Sequence, residues 1–206
     1  MTGERRFAVL LLVAAAVVLV EVTAKVLGNE SSAFDRIVLL SIHREIPAAV
    51  LPVFDIATLS GSARFLVPVV GAASAFLVWR RHALEALQLV LSTAVAAVVV
   101  YFAKTAVGRA RPSLWDTQWY WGSSFPSGHT LSTAAVATAA FLCVARLRPQ
   151  WRRHAFVIAV GWVATVALSR LVLGVHWPTD VVAAACAGLL LSVAVHVGVL
   201  AASRLQ

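Results

Sequence analysis

Residues 155–202 read AFVIAVGWVATVALSRLVLGVHWPTDVVAAACAGLLLSVAVHVGVLAA. Two apolar runs, 155–174 and 178–202, each supply the ~20 residues a helix needs to cross a bilayer. The turn between them gathers His176, Trp177, Pro178 and Asp180, and Ser169-Arg170 stands just before it. So short a connection forces antiparallel neighbours. A charged side chain at the bilayer centre is penalised by at least ~2.5–3.5 kcal/mol, so ionisable clusters at membrane depth default to function. The stretch reads as a membrane hairpin with chemistry at its closed end.

The rest of the chain follows suit. Of its 206 residues, 61% are hydrophobic and 13% charged, with mean hydropathy +0.88. A soluble domain carries roughly 45–50% apolar and 25% charged residues, so that class is excluded. Apolar segments fall at 7–27, 63–79, 83–106, 129–146, 155–174 and 178–202. Only helices or closed barrels satisfy the backbone inside lipid, and no segment shows the alternation of a barrel strand. The expected fold is all-α, a six-transmembrane-helix bundle forming a single domain over 1–206. No repeat or long polar linker divides it.

The net charge of +8 invites a nucleic-acid partner, but its distribution argues against one. Arg5, Arg6, Arg80, Arg81, Arg146, Arg148, Arg152, Arg153 and Arg204 all fall at alternate ends of the segments. This is the positive-inside pattern, and it predicts that those ends and both termini are cytoplasmic. Trp79 and Trp151 flank these arginines, while Trp115, Trp119, Tyr120, Trp121 and Trp177 fall at the other face, the double aromatic belt of a membrane protein. Trp162 lies mid-span and reads as helix packing.

Residues 28–62 interleave Phe34, Ile37, Val38 and Leu40 with Asp35, Arg36, His43 and Arg44, which predicts an external interfacial helical segment. Cys143 and Cys186 sit in apolar spans and read as buried hydrophobes. Residues 7–20 have the length of a signal-peptide core. Apolar character resumes past Glu21 without a small-x-small site, so an uncleaved first helix is expected.

Three polar stretches end apolar segments at the face opposite those arginines: Lys104-Thr-Ala-Val-Gly-Arg-Ala-Arg111-Pro112, Pro126-Ser127-Gly128-His129, and Ser169-Arg170 with His176 and Asp180. A phosphoryl group in transfer spreads negative charge over three equatorial oxygens, and preorganised cations lower its barrier. Lys104, Arg111 and Arg170 can supply them, the arginines in bidentate fashion. Ser127 reads as an N-cap, with Gly128 letting free amides and the helix dipole approach an anion. His176 lies at a helix mouth. Asp180, four residues on, can fix its tautomer and stabilise its imidazolium, which makes a histidine a competent nucleophile. Taken singly, each feature has a bland reading as a snorkelling lysine, an interfacial arginine or a helix cap. Their conjunction on one face points to phosphate chemistry. His43, His82, His154 and His196 lack such company and read as loop, interface or packing residues. Asp116 reads as solvated, and Arg109 as at most an added attraction for phosphate.

The order Lys-x6-Arg-Pro, Pro-Ser-Gly-His and Ser-Arg-x5-His-x3-Asp resembles the type-2 phosphatidic acid phosphatase (PAP2) superfamily at every signature position, from 104 to 180. The resemblance implies that His176 is the nucleophile forming a phosphohistidine, Asp180 its orienting partner and His129 the acid that protonates the leaving oxygen. It implies that Lys104, Arg111, Arg170, Ser127 and the Gly128 amide hold the phosphate, without metal or other cofactor. It gives Arg109 no role.

The expected partner is a membrane lipid phosphate or diphosphate entering sideways at the outer face of the plasma membrane. An outward site favours undecaprenyl diphosphate, which is released there. Phosphatidylglycerophosphate and phosphatidic acid are the alternatives, and a lipid phosphotransferase would use the same pocket. A non-enzymatic anion transporter would place its ionisable residues near the midplane. Spans four to six are nearly free of charge in their middles.

Overall fold

The computed structural model describes residues 3–117 and 122–204, with side chains from residue 6 onward. Among these residues it is all-helical. The helices are α1 (Gly3–Leu27), α2 (Ser32–Glu45), α3 (Leu51–Leu59), α4 (Ala63–Trp79), α5 (Ala83–Val107), α6 (Gly128–Leu147), α7 (Arg152–Val172) and α8 (Pro178–Ala202), with 3-10 turns at Ala48–Val50 and Pro149–Trp151. Trp119, Tyr120 and Trp121, assigned above to the aromatic belt, lie outside the described residues.

Among the described residues five helices have the length and apolarity to cross a membrane, and α4 is a shorter apolar helix of 17 residues. At ~1.5 Å per residue α4 spans about 25 Å, just short of the hydrocarbon thickness. Between α2 and α3 the chain bends by 90°. From there α3 runs antiparallel to the last turns of α7: Thr58 meets Arg170 and Ser60 meets Trp162. The bent α2–α3 pair is apolar enough to count as a sixth, broken span or as a re-entrant segment. The stretch 28–62, expected from sequence to be an external interfacial helical segment, folds into α2, a 3-10 turn and α3; α2 packs on α7 and α8, and α3 on α7.

The centre of the bundle is α6, which packs on α5, α7 and α8. Its buried face is Leu131, Thr133, Ala134, Ala135, Val136, Ala137 and Ala139. Lipid tails are as apolar as leucine, so helices in a membrane associate through close packing of small residues and interhelical hydrogen bonds. Both devices are present. The alanines of α6 meet Gly188 of α8. A polar ladder binds α5 to α6 and α8: Ser92 Oγ lies 3.2 Å from Ser192 Oγ, His196 Nδ1 2.7 Å from Gln88 Oε1, and Arg146 Nε 3.3 Å from Glu85 Oε1. His196 is thus a packing residue, as its isolation in the sequence implied. Large apolar side chains face outward instead, among them Phe7, Leu10 and Val13 of α1 and Phe102 of α5. Trp162 donates to Ser60 Oγ at 3.0 Å and packs against the core of Leu66, Val70 and Val136. Cys143 is buried, Cys186 is half-buried, and both are free thiols.

Helix ends carry the arginines on one side and the three polar stretches on the other. Arg80 and Arg81 form the α4–α5 turn, where Arg81 takes a positive φ of 63° and the His82 amide donates back to the Leu77 carbonyl. Arg146, Arg148, Arg152 and Arg153 surround the α6–α7 turn. Trp79 and Trp151, 73% and 56% exposed, stand beside them.

Candidate functional site

The site forms where the ends of α5, α6 and α7 meet the start of α8. At the end of α7, Gly174 adopts φ +66°. Its amide donates to the Leu171 carbonyl at 2.9 Å, and the Val175 amide donates to the Arg170 carbonyl at 3.2 Å. This is a Schellman closure, which satisfies the last carbonyls and reverses the chain. It ties Arg170 to the residue before His176. The remaining side of Gly174 is filled by Trp115, whose ring also stacks on His43 at 3.9 Å between centroids.

Pro178 then opens α8 at a position where its missing N–H is harmless. Asp180 Oδ2 accepts the Trp177 amide at 2.9 Å, capping the helix. The same oxygen lies 3.4 Å from His176 Nδ1. At that distance the carboxylate and the ring are in direct electrostatic contact. A proton on Nδ1 leaves the Nε2 lone pair on the opposite edge of the ring, and there Arg111 Nη1 lies 3.3 Å away. Nη1 also donates to the Val175 carbonyl at 2.8 Å, and Nε to the Gly122 carbonyl at 3.2 Å. His176 is 2% exposed. Burial, its largest influence, pushes the imidazole down to about 4, against the opposing pull of Asp180. The ring is therefore neutral at pH 7.

Ser127 caps α6 as the sequence implied. Its Oγ accepts the Thr130 amide at 3.5 Å and shares a 3.0 Å hydrogen bond with Thr130 Oγ1. The Ser127 amide donates to the Asp180 carbonyl at 3.2 Å, which joins the start of α6 to that of α8. A Cβ on Gly128 would come within 3.3 Å of Val100 and 3.9 Å of the Lys104 stem, so α6 begins close against α5 and the lysine. Lys104 Nζ donates to the Ser123 carbonyl. His129 lies within electrostatic reach of Arg170, His176, Arg111 and Lys104. Beside it the α3–α4 break presses in: a Cβ on Gly61 would lie 2.6 Å from Val166, 2.8 Å from Thr133 Oγ1 and 3.4 Å from His129 Cβ. Arg170, fully buried, donates from Nη1 to Thr58 Oγ1 at 2.5 Å.

All eight candidate residues (Lys104, Arg111, Ser127, Gly128, His129, Arg170, His176 and Asp180) therefore fall in one neighbourhood. The arrangement offers a neutral ring nitrogen facing a guanidinium, a second histidine, two more cations and a helix N-terminus. It suits attack on a bound phosphoryl group.

Residues outside the signature also belong here. Arg109 is held by protein carboxylates. Its fork spans two carboxylates, Asp180 Oδ1 and Asp35 Oδ2, each at 2.6 Å. The sequence signal was available in part, because an arginine opposite the other arginines runs against the inside bias and needs a partner. Thr58 had no such signal. Asp116 is exposed, in keeping with a solvated role.

The family comparison covers this region. The PAP2 superfamily model matches residues 85–204. Phosphatidylglycerophosphatase B of Escherichia coli strain K12 is 44% identical over 63 residues, 31% of this chain and 24% of that protein. The chain thus spans about a quarter of the length of that relative. Phosphatidylglycerophosphatase B of Bacillus subtilis strain 168 is 28% identical over 134 residues, 64% of this chain and 66% of the relative.

Among solved structures, a transmembrane PAP2 type phosphatidylglycerolphosphate phosphatase from Bacillus subtilis superposes with TM-score 0.80 at 24% identity, covering 89% of this chain and 93% of that one. Aquifex aeolicus LpxE superposes with TM-score 0.63 at 22% identity, covering 77% and 92%. At such identities these two establish the fold. With the matched model covering more than half the chain and every signature residue within it, the protein is a multi-pass membrane member of the PAP2 superfamily.

Proposed function

We propose that this protein is a metal-independent lipid phosphatase acting through a phosphohistidine at His176 Nε2. The observation that carries the reading is the polarity of that ring: Nδ1 faces Asp180 and Nε2 faces Arg111. The substrate phosphate takes the place beside Nε2, held by Arg111, Lys104, Arg170 and the N-terminus of α6 with Ser127 and the Gly128 amide. The Nε2 lone pair forms the bond to phosphorus as the bond to the leaving oxygen breaks. That oxygen keeps the electron pair and takes a proton from His129. The ring, now cationic, is stabilised by Asp180. Water, losing a proton to His129, then attacks phosphorus and frees Nε2. Phosphate release should survive excess EDTA and be blocked by vanadate, which mimics the five-coordinate transition state. Strict Mg²⁺ dependence would defeat this reading.

For substrate, both relatives named above are phosphatidylglycerophosphatases, which favours phosphatidylglycerophosphate. The carrier diphosphate favoured by an outward-facing site remains the rival. Phosphate release from a panel of phosphatidylglycerophosphate, phosphatidic acid and undecaprenyl diphosphate ranks them. A glycerol-lipid acceptor that captures the phosphoryl group would mark a phosphotransferase.

The site faces outward and both termini are cytoplasmic, by the arginine distribution. In a background with Cys143 and Cys186 replaced, a cysteine at Ser123 should react with an impermeant thiol reagent in intact cells, and one at Gln150 should not. The reverse labelling inverts the topology.

A further inference from the structure

One buried carboxylate has no place in the reaction described so far. Asp35 of α2 is fully buried, 145 positions before Asp180, and its side-chain hydrogen bonds all go to Thr179 and Arg109, which lie beside Asp180. Its Oδ1 accepts the Thr179 amide at 2.9 Å, and its Oδ2 accepts Thr179 Oγ1 at 2.7 Å and Arg109 Nη2 at 2.6 Å. Arg109 Nη1 bonds Asp180 Oδ1 at 2.6 Å and Thr179 Oγ1 at 2.8 Å, while Nη2 also reaches Ser31 Oγ at 3.0 Å. The guanidinium stacks over the Trp177 ring, 5.7 Å from its centroid. A buried ion is tolerated only when geometry and hydrogen bonds offset its desolvation. Here three charged groups from α2, the loop after α5, and α8 do so for one another.

We infer that Asp35 is a positioning residue for the phosphoryl transfer, acting through Arg109 and Thr179 on Asp180 and hence on His176. The inference rests on the phosphatase reading above. Two physical effects combine. The first is geometric: Arg109 fixes Asp180 Oδ1, so Oδ2 is left aimed at the Trp177 amide and His176 Nδ1. Asp35 in turn fixes Arg109, whose rigid fork needs both carboxylates to hold its plane.

The second effect is charge. An Arg109–Asp180 pair alone is neutral and stabilises a developing imidazolium poorly. With Asp35 the trio carries net −1, which the cationic phosphohistidine ring neutralises. The stabilisation therefore grows as the ring becomes positive, which is what accelerates a step. Asp35 touches no substrate in this scheme.

The test is Asp35→Asn, which keeps shape and one acceptor but removes the charge. Groups acting through another residue typically lower activity by ~10–100-fold, and that loss is expected in kcat and in the rate of phosphohistidine formation, with KM unchanged. In an Asp180→Asn background the same change should cost clearly less than in the wild type, because the hydrogen-bonded route through Asp180 is already cut and only the through-space charge is left to lose. Arg109→Lys, which keeps the cation but cannot fork to both carboxylates, should reproduce the kcat loss if Asp35→Asn proves too unstable to purify.

A purely structural Asp35 would instead lower the thermal midpoint and the active fraction, leave kcat per folded enzyme intact, and add fully to Asp180→Asn. That result overturns the inference. A wild-type enzyme that releases no phosphate from any lipid phosphate would overturn the phosphatase reading itself, and the wild-type lane of the same assay reports it separately.

Discussion

His176→Ala should release no phosphate from any substrate, while His129→Ala should keep an activity that depends on the leaving group. The first change removes the atom that bonds phosphorus, and the neighbouring groups cannot replace it. Arg111 and Arg170 are permanent cations, and Lys104 Nζ is bound to the Ser123 carbonyl. The second change removes only proton delivery, worth ~10²–10⁴-fold where the leaving group is a poor one. A lipid alkoxide leaving from phosphatidic acid or phosphatidylglycerophosphate needs that proton. A phosphate monoester leaving from a lipid diphosphate needs it much less. The ratio of wild-type to His129→Ala rates should therefore be larger for phosphatidic acid than for undecaprenyl diphosphate. Equal losses on both would remove His129 from the acid's role, and an active His176→Ala would remove the mechanism. In both variants vanadate affinity separates lost chemistry from a lost cradle.

Much of this architecture was legible from local signals. The apolar segments predicted the helices because in lipid each must satisfy its own backbone, whatever its neighbours do. The signature stretches were legible because each sits at a helix end, where capping and charge rules act over a few residues. Ser127 caps α6 and Gly174 closes α7 for those local reasons.

The docking of α3 was not legible. Residues 48–56 are too short to span, and only contacts with α7 reveal that α3 packs against the bundle. Nor was Asp35 legible, since its partners Arg109 and Thr179 belong to two distant regions of the chain. A carboxylate on an amphipathic helix reads as solvated until tertiary structure shows that it is fully buried. Arg109 stood between: its position against the charge bias was visible, but its partners were not. The site's signature residues are thus written locally, and the groups that orient them are written in the packing.

That dependence on packing is sharpest at Gly188, where Gly188→Ala should lower both the thermal midpoint and kcat. An added Cβ would lie 2.5 Å from the Leu131 carbonyl oxygen, 2.7 Å from Ala134 Cβ and 2.9 Å from the Ala135 nitrogen. Two of these are backbone atoms of α6, so no side chain can swing away and the helices must part. Intrinsic propensity pulls the other way, favouring alanine over glycine by ~1 kcal/mol inside a helix. Overpacking of a close interface typically costs ~1–3 kcal/mol, and contacts under 3 Å to backbone put this position at the upper end, so sterics win.

Gly198 gives the control on the same helix, because nothing lies within 4 Å of its added Cβ. Gly198→Ala should be neutral or stabilising by up to ~1 kcal/mol. The kinetic loss follows from what the two helices carry. α6 begins with Ser127 and His129, α8 with Asp180, and the Ser127 amide bonds the Asp180 carbonyl across their junction at 3.2 Å. Separating the helices moves the acid away from the nucleophile, and a misplacement near 1 Å can lower a rate by ~10²-fold. Thermal midpoints in detergent and kcat for both variants measure this. If Gly188→Ala melts with the wild type and turns over normally, α6 and α8 are not held at the spacing that the site requires.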